Sequence, residues 1–253
     1  MSDTIHRVNH EIKQRRLQVL RVTELTPRMR RITLGGPELQ GFVSLGSDDH
    51  VKLLFAMSAQ EQAAIEARNL GRDGGARPTM REYTPRRVDL AAGELDIDFV
   101  LHGDGPASTW AAQAVPGHEL NIAGPRASMV VPDIFDSYLL IGDETAIPAI
   151  ARRLDELPAG RQVLAVIQVE DEQERQPLPS KAQVEVIWVR RHDEDLLALL
   201  ENLALPQGKL YSWVALEKTL TRQAKALLLA KGAQEDALKA AAYWRADASA
   251  DDE

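Results

Sequence analysis

Arg81-Glu82-Tyr83-Thr84-Pro85 sets a fixed cation, an aromatic ring and a hydroxyl side by side along the chain. A residue before proline is pushed towards extended backbone, and in an extended segment alternate side chains share a face. Arg81 and Tyr83 are therefore predicted to point one way, with the backbone around Thr84 exposed beside them. The trio suits a ligand with phosphate at one end and a flat heteroaromatic at the other. The guanidinium would take the phosphate, the phenol ring would lie on the ring system, and the hydroxyl would bond a ring nitrogen. The same string also suits a plain barrel strand with a surface arginine, a core tyrosine and a turn. Its neighbours decide between the two.

The second chemical stretch is His102-Gly103-Asp104-Gly105-Pro106-Ala107-Ser108-Thr109-Trp110-Ala111. It follows the alternating run 94–101, which reads as a strand. The glycines make a tight turn, and Pro106 sits at the favoured first position of a helix. Strand, glycine turn and helix start together aim free backbone N–H groups at an anion, and Ser108 and Thr109 add hydroxyls. An ordinary strand-to-helix corner has the same outline.

The elements that must position these groups differ between the two halves of the chain. Residues 1–16 read as a loose arm. Strands are expected at 17–22, 29–34, 51–55, 94–101 and 118–123, separated by turn residues, which indicates an antiparallel barrel or sandwich. Residues 58–79 break the pattern and read as a long loop with one helical turn, leading into Arg81. Loops of that length in a compact domain are often functional. Beyond Pro132 the character changes. Apolar strands at 138–141, 163–167, 184–188, 210–215 and 239–244 alternate with helices at 146–157, 194–203 and 217–231, the mark of a parallel sheet covered on both faces. The expectation is two domains: a β-barrel over 1–132 and an α/β domain over 133–253, ending in an acidic tail at 248–253. No internal repeats are present.

Composition narrows the chemistry. The 253 residues carry a net charge of −8 and no cysteine. The charge argues against a general nucleic-acid binder. The missing thiols exclude disulfides, a cysteine nucleophile and a Cys-ligated iron–sulfur cluster. Redox chemistry would have to come from a bound organic cofactor or from iron carried by a ligand. The N-terminus lacks the apolar run of a signal peptide, and no stretch reaches the ~18 apolar residues of a membrane span. A cytoplasmic monomer, not associated with membranes, is expected.

Taken in order, Asp48-Asp49-His50-Val51-Lys52, Arg81-Glu82-Tyr83-Thr84-Pro85, Asp98-Phe99-Val100-Leu101-His102, Gly105-Pro106-Ala107-Ser108-Thr109-Trp110-Ala111, Gly124-Pro125-Arg126, Gly142-Asp143-Glu144-Thr145-Ala146-Ile147-Pro148-Ala149 and Tyr243-Trp244-Arg245 form an ordered set. Through it the chain resembles the siderophore-interacting protein family, flavin-dependent ferric-siderophore reductases of the ferredoxin-reductase-like group. The resemblance implies FAD held by the barrel. Arg81 would pair with the diphosphate, and Tyr83 and Thr84 would line the isoalloxazine. Asp98, Phe99, Val100 and His102 would run along the flavin and adenylate, with Ala107, Ser108 and Thr109 capping the diphosphate. The α/β half would be a nicotinamide-nucleotide lobe, with Asp143, Thr145 and Glu217 as its contacts. Its first strand ends in Gly142-Asp143-Glu144-Thr145, so the G-x-G-x-x-G fingerprint is absent. Trp244 would either stack on the flavin or pack as core.

Two departures from the family pattern stand out. Leu216 occupies a position usually held by glycine, where a leucine would crowd an approaching nicotinamide and leave a reduced ferredoxin open as donor. Ala127 replaces a second glycine. The implied reaction passes hydride from NAD(P)H to FAD and single electrons onward to the iron of a ferric siderophore, because a flavin handles both one- and two-electron transfer. Ferric catecholates are anionic, so a local basic pocket is expected, with Lys52, Arg126 and Arg245 as candidates. No protein metal ligand is required. Two other readings stay open: a flavin reductase of the same fold with another acceptor, and a siderophore-binding protein with little turnover.

Overall fold

The computed structural model describes residues 3–72 and 75–246. The tail at 248–253 and Gly74 lie outside the described residues. The chain divides into two compact units, Thr4–Val131 and Pro132 onward.

The first unit contains strands β1 (His6–Asn9), β2 (Gln14–Thr26), β3 (Met29–Gly35), β4 (Val51–Phe55), then helix α1 (Ala59–Asn69), strands β5 (Thr79–Tyr83), β6 (Pro85–Asp89) and β7 (Glu94–Val100), helix α2 (Pro106–Gln113), and strands β8 (Glu119–Ala123) and β9 (Ala127–Val130). Seven of the strands form one antiparallel sheet in the order β5-β4-β8-β2-β3-β7-β6. The outermost strands in that order, β5 and β6, are consecutive in the chain and separated by Thr84 alone. One residue cannot span an open sheet of this width, since an extended residue reaches ~3.5 Å. The sheet therefore curls until its edges meet at Thr84, giving an antiparallel half-barrel. Alternate residues from each strand fill it, among them Leu17, Val19, Ile32, Leu53, Ile97 and Phe99.

Three expectations are corrected here. The arm read as loose carries strand structure over 6–9 and from 14: β1 pairs antiparallel with β9, Val8 opposite Ser128, and β2 begins at Gln14. A short polar strand carries no apolar alternation, so its sequence looks like a loop. Behind that pairing is a buried polar cluster. Asp49 Oδ2 accepts from Ser44 Oγ (2.8 Å), Leu45 N (2.9 Å), Gly46 N (3.1 Å) and Ser128 Oγ (2.5 Å), and His10 Nε2 lies 2.7 Å from Ser128 Oγ. The segment 58–79 is not a loop with a single turn, because α1 runs for 11 residues. Its start is a capping motif of the S-x-x-E type. Ser58 accepts from Glu61 N, and Glu61 Oε2 accepts from Met57 N (2.9 Å) and Thr79 N (3.2 Å), closing the base of the excursion between β4 and β5. Finally, Pro85 opens a strand, where the plain barrel-strand reading of this stretch expects a turn. β6 is an edge strand, where a first-position proline costs no ladder bond.

The second unit contains β10 (Ser137–Asp143), α3 (Ile147–Glu156), β11 (Gln162–Val169), β12 (Gln183–Arg190), α4 (Leu196–Asn202), β13 (Leu210–Glu217), α5 (Lys218–Ala230) and β14 (Leu238–Trp244). The five strands are all parallel, in the order β12-β11-β10-β13-β14. The chain steps outward from β10 through β11 to β12, then returns to the other side of β10 with β13. The topological switch point therefore lies between the carboxyl ends of β10 and β13, where sheets of this kind bind ligands. Gly142 allows α3 to start close against β10. A Cβ there would sit 2.4 Å from Ala146 Cβ and 3.2 Å from Ala215 O.

Hydrogen bonding at the α1 cap has a pH consequence. The two backbone N–H bonds at Glu61 hold its carboxyl below the usual range, against a smaller opposing effect of burial. A depressed carboxyl stabilises the fold above its ordinary pKa and loses that contribution as pH falls through the folded value. Thermal melts should find Glu61→Gln less stable than wild type near neutral pH, with the difference shrinking as pH falls below the ordinary carboxylate range. A gap that stays constant across that range would show that the charge on Glu61 contributes nothing.

Candidate functional site

In the half-barrel, the register of β4 and β5 places Arg81 opposite Leu53 and Tyr83 opposite Val51. Directly opposed residues share a face, so Arg81 and Tyr83 lie together on the core side of an edge strand, as the extended reading anticipates. Both are half-buried, at the rim where the barrel core opens. The Tyr83 ring packs on Phe99 with centroids 4.6 Å apart, Phe99 packs on Trp110 at 5.7 Å, and Trp110 lies 6.2 Å from Phe55. This ladder fixes the tilt of the tyrosine. Burial pushes its phenol up to about 12, with the Arg81 charge acting in the opposite direction, so at neutral pH the ring is an uncharged, flat, polar-tipped surface. Thr84 is 7% exposed, not open beside the pair; it is the buried corner between the two edge strands.

α2 starts where the sequence places it. Pro106 opens the helix, its cap residue Gly105 contributes no side-chain bond, and Ala107 and Ser108 are buried while Thr109 is exposed. The first-turn N–H groups therefore have no side-chain cap, the condition that favours an anion. Ser108 is used internally: its Oγ accepts from His102 N at 3.0 Å, tying the end of β7 to the helix. The His102 side chain is exposed and Val100 half-buried. α2 packs on β4 and β7, and its Trp110 lies on Phe99, the ring that supports Tyr83. Cation, aromatic seat and uncapped helix start fit a dinucleotide with one flat ring system and a diphosphate.

Two of the residues expected to contact that ligand are committed elsewhere. The Asp98 carboxylate is buried and taken by Arg31 in a two-pronged pair, Nε to Oδ1 at 2.7 Å and Nη2 to Oδ2 at 2.8 Å. The Phe99 ring is fully buried and acts as the support of Tyr83. On the opposite sheet face from Arg81, Lys52 is half-exposed and lies 3.9 Å from Glu82, with His50 3.8 Å from the same carboxylate. Lys52 sits opposite Ala123, and Arg126, exposed, follows shortly after that strand ends. The two cations thus share one corner of the unit.

In the α/β unit, Asp143 ends β10 with both oxygens occupied. Oδ1 accepts from Thr145 N (2.9 Å) and Thr145 Oγ1 (2.5 Å), and Oδ2 accepts from Trp244 Nε1 (2.7 Å). Thr145 thereby turns its hydroxyl back on its own loop. Glu217 caps α5, accepting from Thr219 N and Leu220 N. Trp244 is partly exposed across the strand ends, with the Arg191 guanidinium 5.8 Å from its ring centre. Arg245 is exposed just beyond β14, whereas Tyr243 packs edge-on against Trp213. Leu216 is 0% exposed and belongs to the core beneath α4 and α5. It does not reach the surface, so the expected crowding of a nicotinamide does not arise.

Sequence reasoning missed a charged cluster at this edge. Arg191 donates to Glu144 and, at 3.3 Å, to Gln168, and its Nε lies 3.4 Å from Glu170. His192 Nε2 is 3.1 Å from the same Glu170. Burial pushes the Glu144 carboxyl up, and the Arg191 charge opposes that shift. The signal was available, since Arg190-Arg191-His192 directly follows an apolar strand whose carboxyl end faces the switch-point edge. Among the described residues, no group of three or more His, Cys, Asp or Glu side chains is arranged to hold a metal ion, and no helix is long and apolar enough to cross a membrane.

The Arg31–Asp98 pair yields a direct test of its structural role. Arg31→Met should cost about 3–5 kcal/mol by stranding a buried carboxylate, and adding Asp98→Leu should recover most of that loss. Denaturant unfolding of the two single variants and the double variant measures it; fully additive effects would show that the pair is not coupled.

Residues 18–129 match the siderophore-interacting FAD-binding domain and residues 135–247 the siderophore-interacting protein domain. The chain is 35% identical over 248 residues to the NADPH-dependent ferric-chelate reductase of Escherichia coli, covering 95% of this chain and 96% of that one. It is 29% identical over 219 residues to the ferric vibriobactin reductase ViuB of Vibrio cholerae, covering 82% and 78%. The crystal structure of a siderophore utilization protein from T. fusca superimposes with a TM-score of 0.85 at 35% identity, covering 97% of each chain. With its FAD-binding half-barrel and parallel-sheet second unit, this chain belongs to the siderophore-interacting protein family.

Proposed function

We propose that this protein is a cytoplasmic ferric-siderophore reductase, taking electrons from NAD(P)H and delivering them through FAD to siderophore-bound Fe(III). The observation that carries the reading is the shared face of Arg81 and Tyr83, together with the uncapped start of α2, in a half-barrel of the FAD-binding class. The names of the E. coli and V. cholerae relatives support iron chelates as the acceptor class.

When bound, FAD supplies the conversion between two-electron and one-electron transfer. The residues of this chain do the rest. Arg81 neutralises diphosphate charge, and the N–H groups of Ala107 and Ser108 add dipolar donors. Tyr83, held by Phe99, offers a rigid uncharged face to the flavin ring. Its raised phenol pKa means that it neither gives nor takes a proton near neutral pH. Lys52 and Arg126 supply positive potential on the half-barrel for an anionic catecholate chelate, and Arg245 is the corresponding candidate on the α/β unit. Ferrous iron binds hard oxygen donors less tightly than ferric iron, so reduction releases the metal without a protein ligand. With Leu216 in the core, nothing at that position argues for ferredoxin over a nicotinamide, and the reading as a binding protein without turnover loses the residue that favoured it.

The test is an anaerobic absorbance experiment on the flavin-loaded protein. Addition of NADH or NADPH should bleach the flavin, and a ferric catecholate with a ferrous trap should restore its colour and yield trapped Fe(II). Arg81→Ala should weaken FAD binding by about 10–100-fold, the loss of one charge-assisted contact of about 1.5–3 kcal/mol. A flavin that bleaches but never passes electrons to iron would sink the assignment in favour of a reductase acting on another acceptor.

A further inference from the structure

Two side chains form a strap across the carboxyl edge of the parallel sheet. Asp143 ends β10 and Trp244 ends β14. β13 lies between these strands, and the register sets Trp244 opposite Glu217, the last residue of β13. Trp244 Nε1 nevertheless donates to Asp143 Oδ2 at 2.7 Å. Adjacent strands lie about 4.8 Å apart, so the indole and the carboxylate together bridge about 10 Å across the end of β13. That is the switch point, the crevice in which open sheets of this kind take their ligands. Arg191 comes from the other direction. It follows β12, passes the end of β11 to pair with Glu144 beyond β10, and sets its guanidinium 5.8 Å from the Trp244 ring centre. β12 and β14 are the two edge strands, so side chains from opposite edges meet beside the central one.

The parts of the strap are held unequally. Arg191 is fixed by Glu144 and, at 3.4 Å, by Glu170. The backbone beyond Trp244 is tied back to β13 by the bond from Ala246 N–H to the Glu217 carboxylate. The indole itself leans on the Asp143 bond and the Arg191 contact, and it is still 36% exposed. Rotation about its two side-chain torsions would uncover the crevice without breaking any ladder bond of the sheet. The β10 turn is occupied in the same arrangement. Thr145 N and Oγ1, donors that a phosphate could use, both go to Asp143 Oδ1, at 2.9 and 2.5 Å.

We infer that Trp244 gates the donor crevice: a nicotinamide nucleotide enters only once the indole has left Asp143 and Arg191. The inference rests on the proposed function, in which the α/β unit receives the nucleotide. A binding-competent state that is populated only in part lowers apparent affinity by that fraction. Trp244 thereby sets how well the protein uses a donor that needs the crevice, relative to one that does not.

The test uses oxidised nucleotides, so that binding is read without turnover. Calorimetric titration of the flavin-loaded protein with NAD⁺ and NADP⁺ should show Trp244→Ala binding at least one of them about ten-fold more tightly than wild type, the scale of one hydrogen bond to a charged group. The same gain should appear as a lower KM for the reduced nucleotide. A purely structural tryptophan predicts the opposite sign, a loss of affinity on truncation. Unchanged or weaker binding in folded Trp244→Ala overturns the inference. If thermal melts show that variant to be unfolded, Trp244→Phe decides, since it keeps a ring and loses the N–H; unchanged binding there is equally fatal. If no form of the protein binds either nucleotide, yet dithionite-reduced protein still reduces a ferric chelate, the inference fails while the reductase reading stands. Tighter binding by Trp244→Ala in a protein that never reduces iron supports the inference and removes the reductase reading.

Discussion

The covalent link through Thr84 is the constraint on which the half-barrel depends. It joins the two edge strands of a seven-stranded sheet with a single residue, so the sheet must curl and cannot stay open. Proline at 85 suits the corner twice over. It holds Thr84 in extended backbone, and it removes an N–H that would otherwise face outward from an edge. Closure brings Tyr83 against Phe99, at 4.6 Å, and through Phe99 the tyrosine inherits the rigidity of the core. The residues that close the fold are therefore the residues that shape the candidate flavin seat. Rearranging the corner would disturb both together, because Tyr83 and Pro85 lie on either side of the same buried threonine.

Acidic residues in this protein are largely spent on holding backbone and arginines in place. Asp49 gathers a loop and the β9 strand, Glu61 closes the base of an excursion, Asp98 locks Arg31 across two strands, Asp143 organises the β10 turn, and Glu217 caps α5. A carboxylate that accepts two or more short bonds has little left for a ligand, so the bonding of Asp98, Asp143 and Glu217 argues for structural work. This is also economical of charge: each anion sits where N–H groups or a guanidinium already demand one. Glu170 is likewise held, by Arg191 and His192, at the carboxyl end of β11.

The change of architecture near Pro132 was legible because apolar strand runs and alternating strands bury different numbers of faces. So was the shared face of Arg81 and Tyr83, which follows from strand geometry alone. What escaped detection has specific causes. β1 is four residues of mixed polarity whose stability comes from pairing with β9 and from the Asp49–Ser128–His10 cluster, all distant in sequence. α1 was hidden by the glycines that follow it, although its S-x-x-E start was in plain view. Leu216 was misjudged because position in a motif says nothing about side-chain direction. In β13, alternation turns Leu216 the same way as Val214, into the core under α5.

Net charge misleads at the scale of a site. At −8 overall, the protein would repel an anionic chelate if its charge acted as a whole, but at physiological ionic strength potentials fade over ~8 Å. What a ligand senses is the local set. On the half-barrel, the corner holding Lys52 and Arg126 has Glu82 as an opposing charge near Lys52, and Arg126 is exposed. On the α/β unit, the ends of β11 and β12 have their arginines bound by carboxylates. Local cations, and not the net charge, therefore decide where an anionic ligand is tolerated.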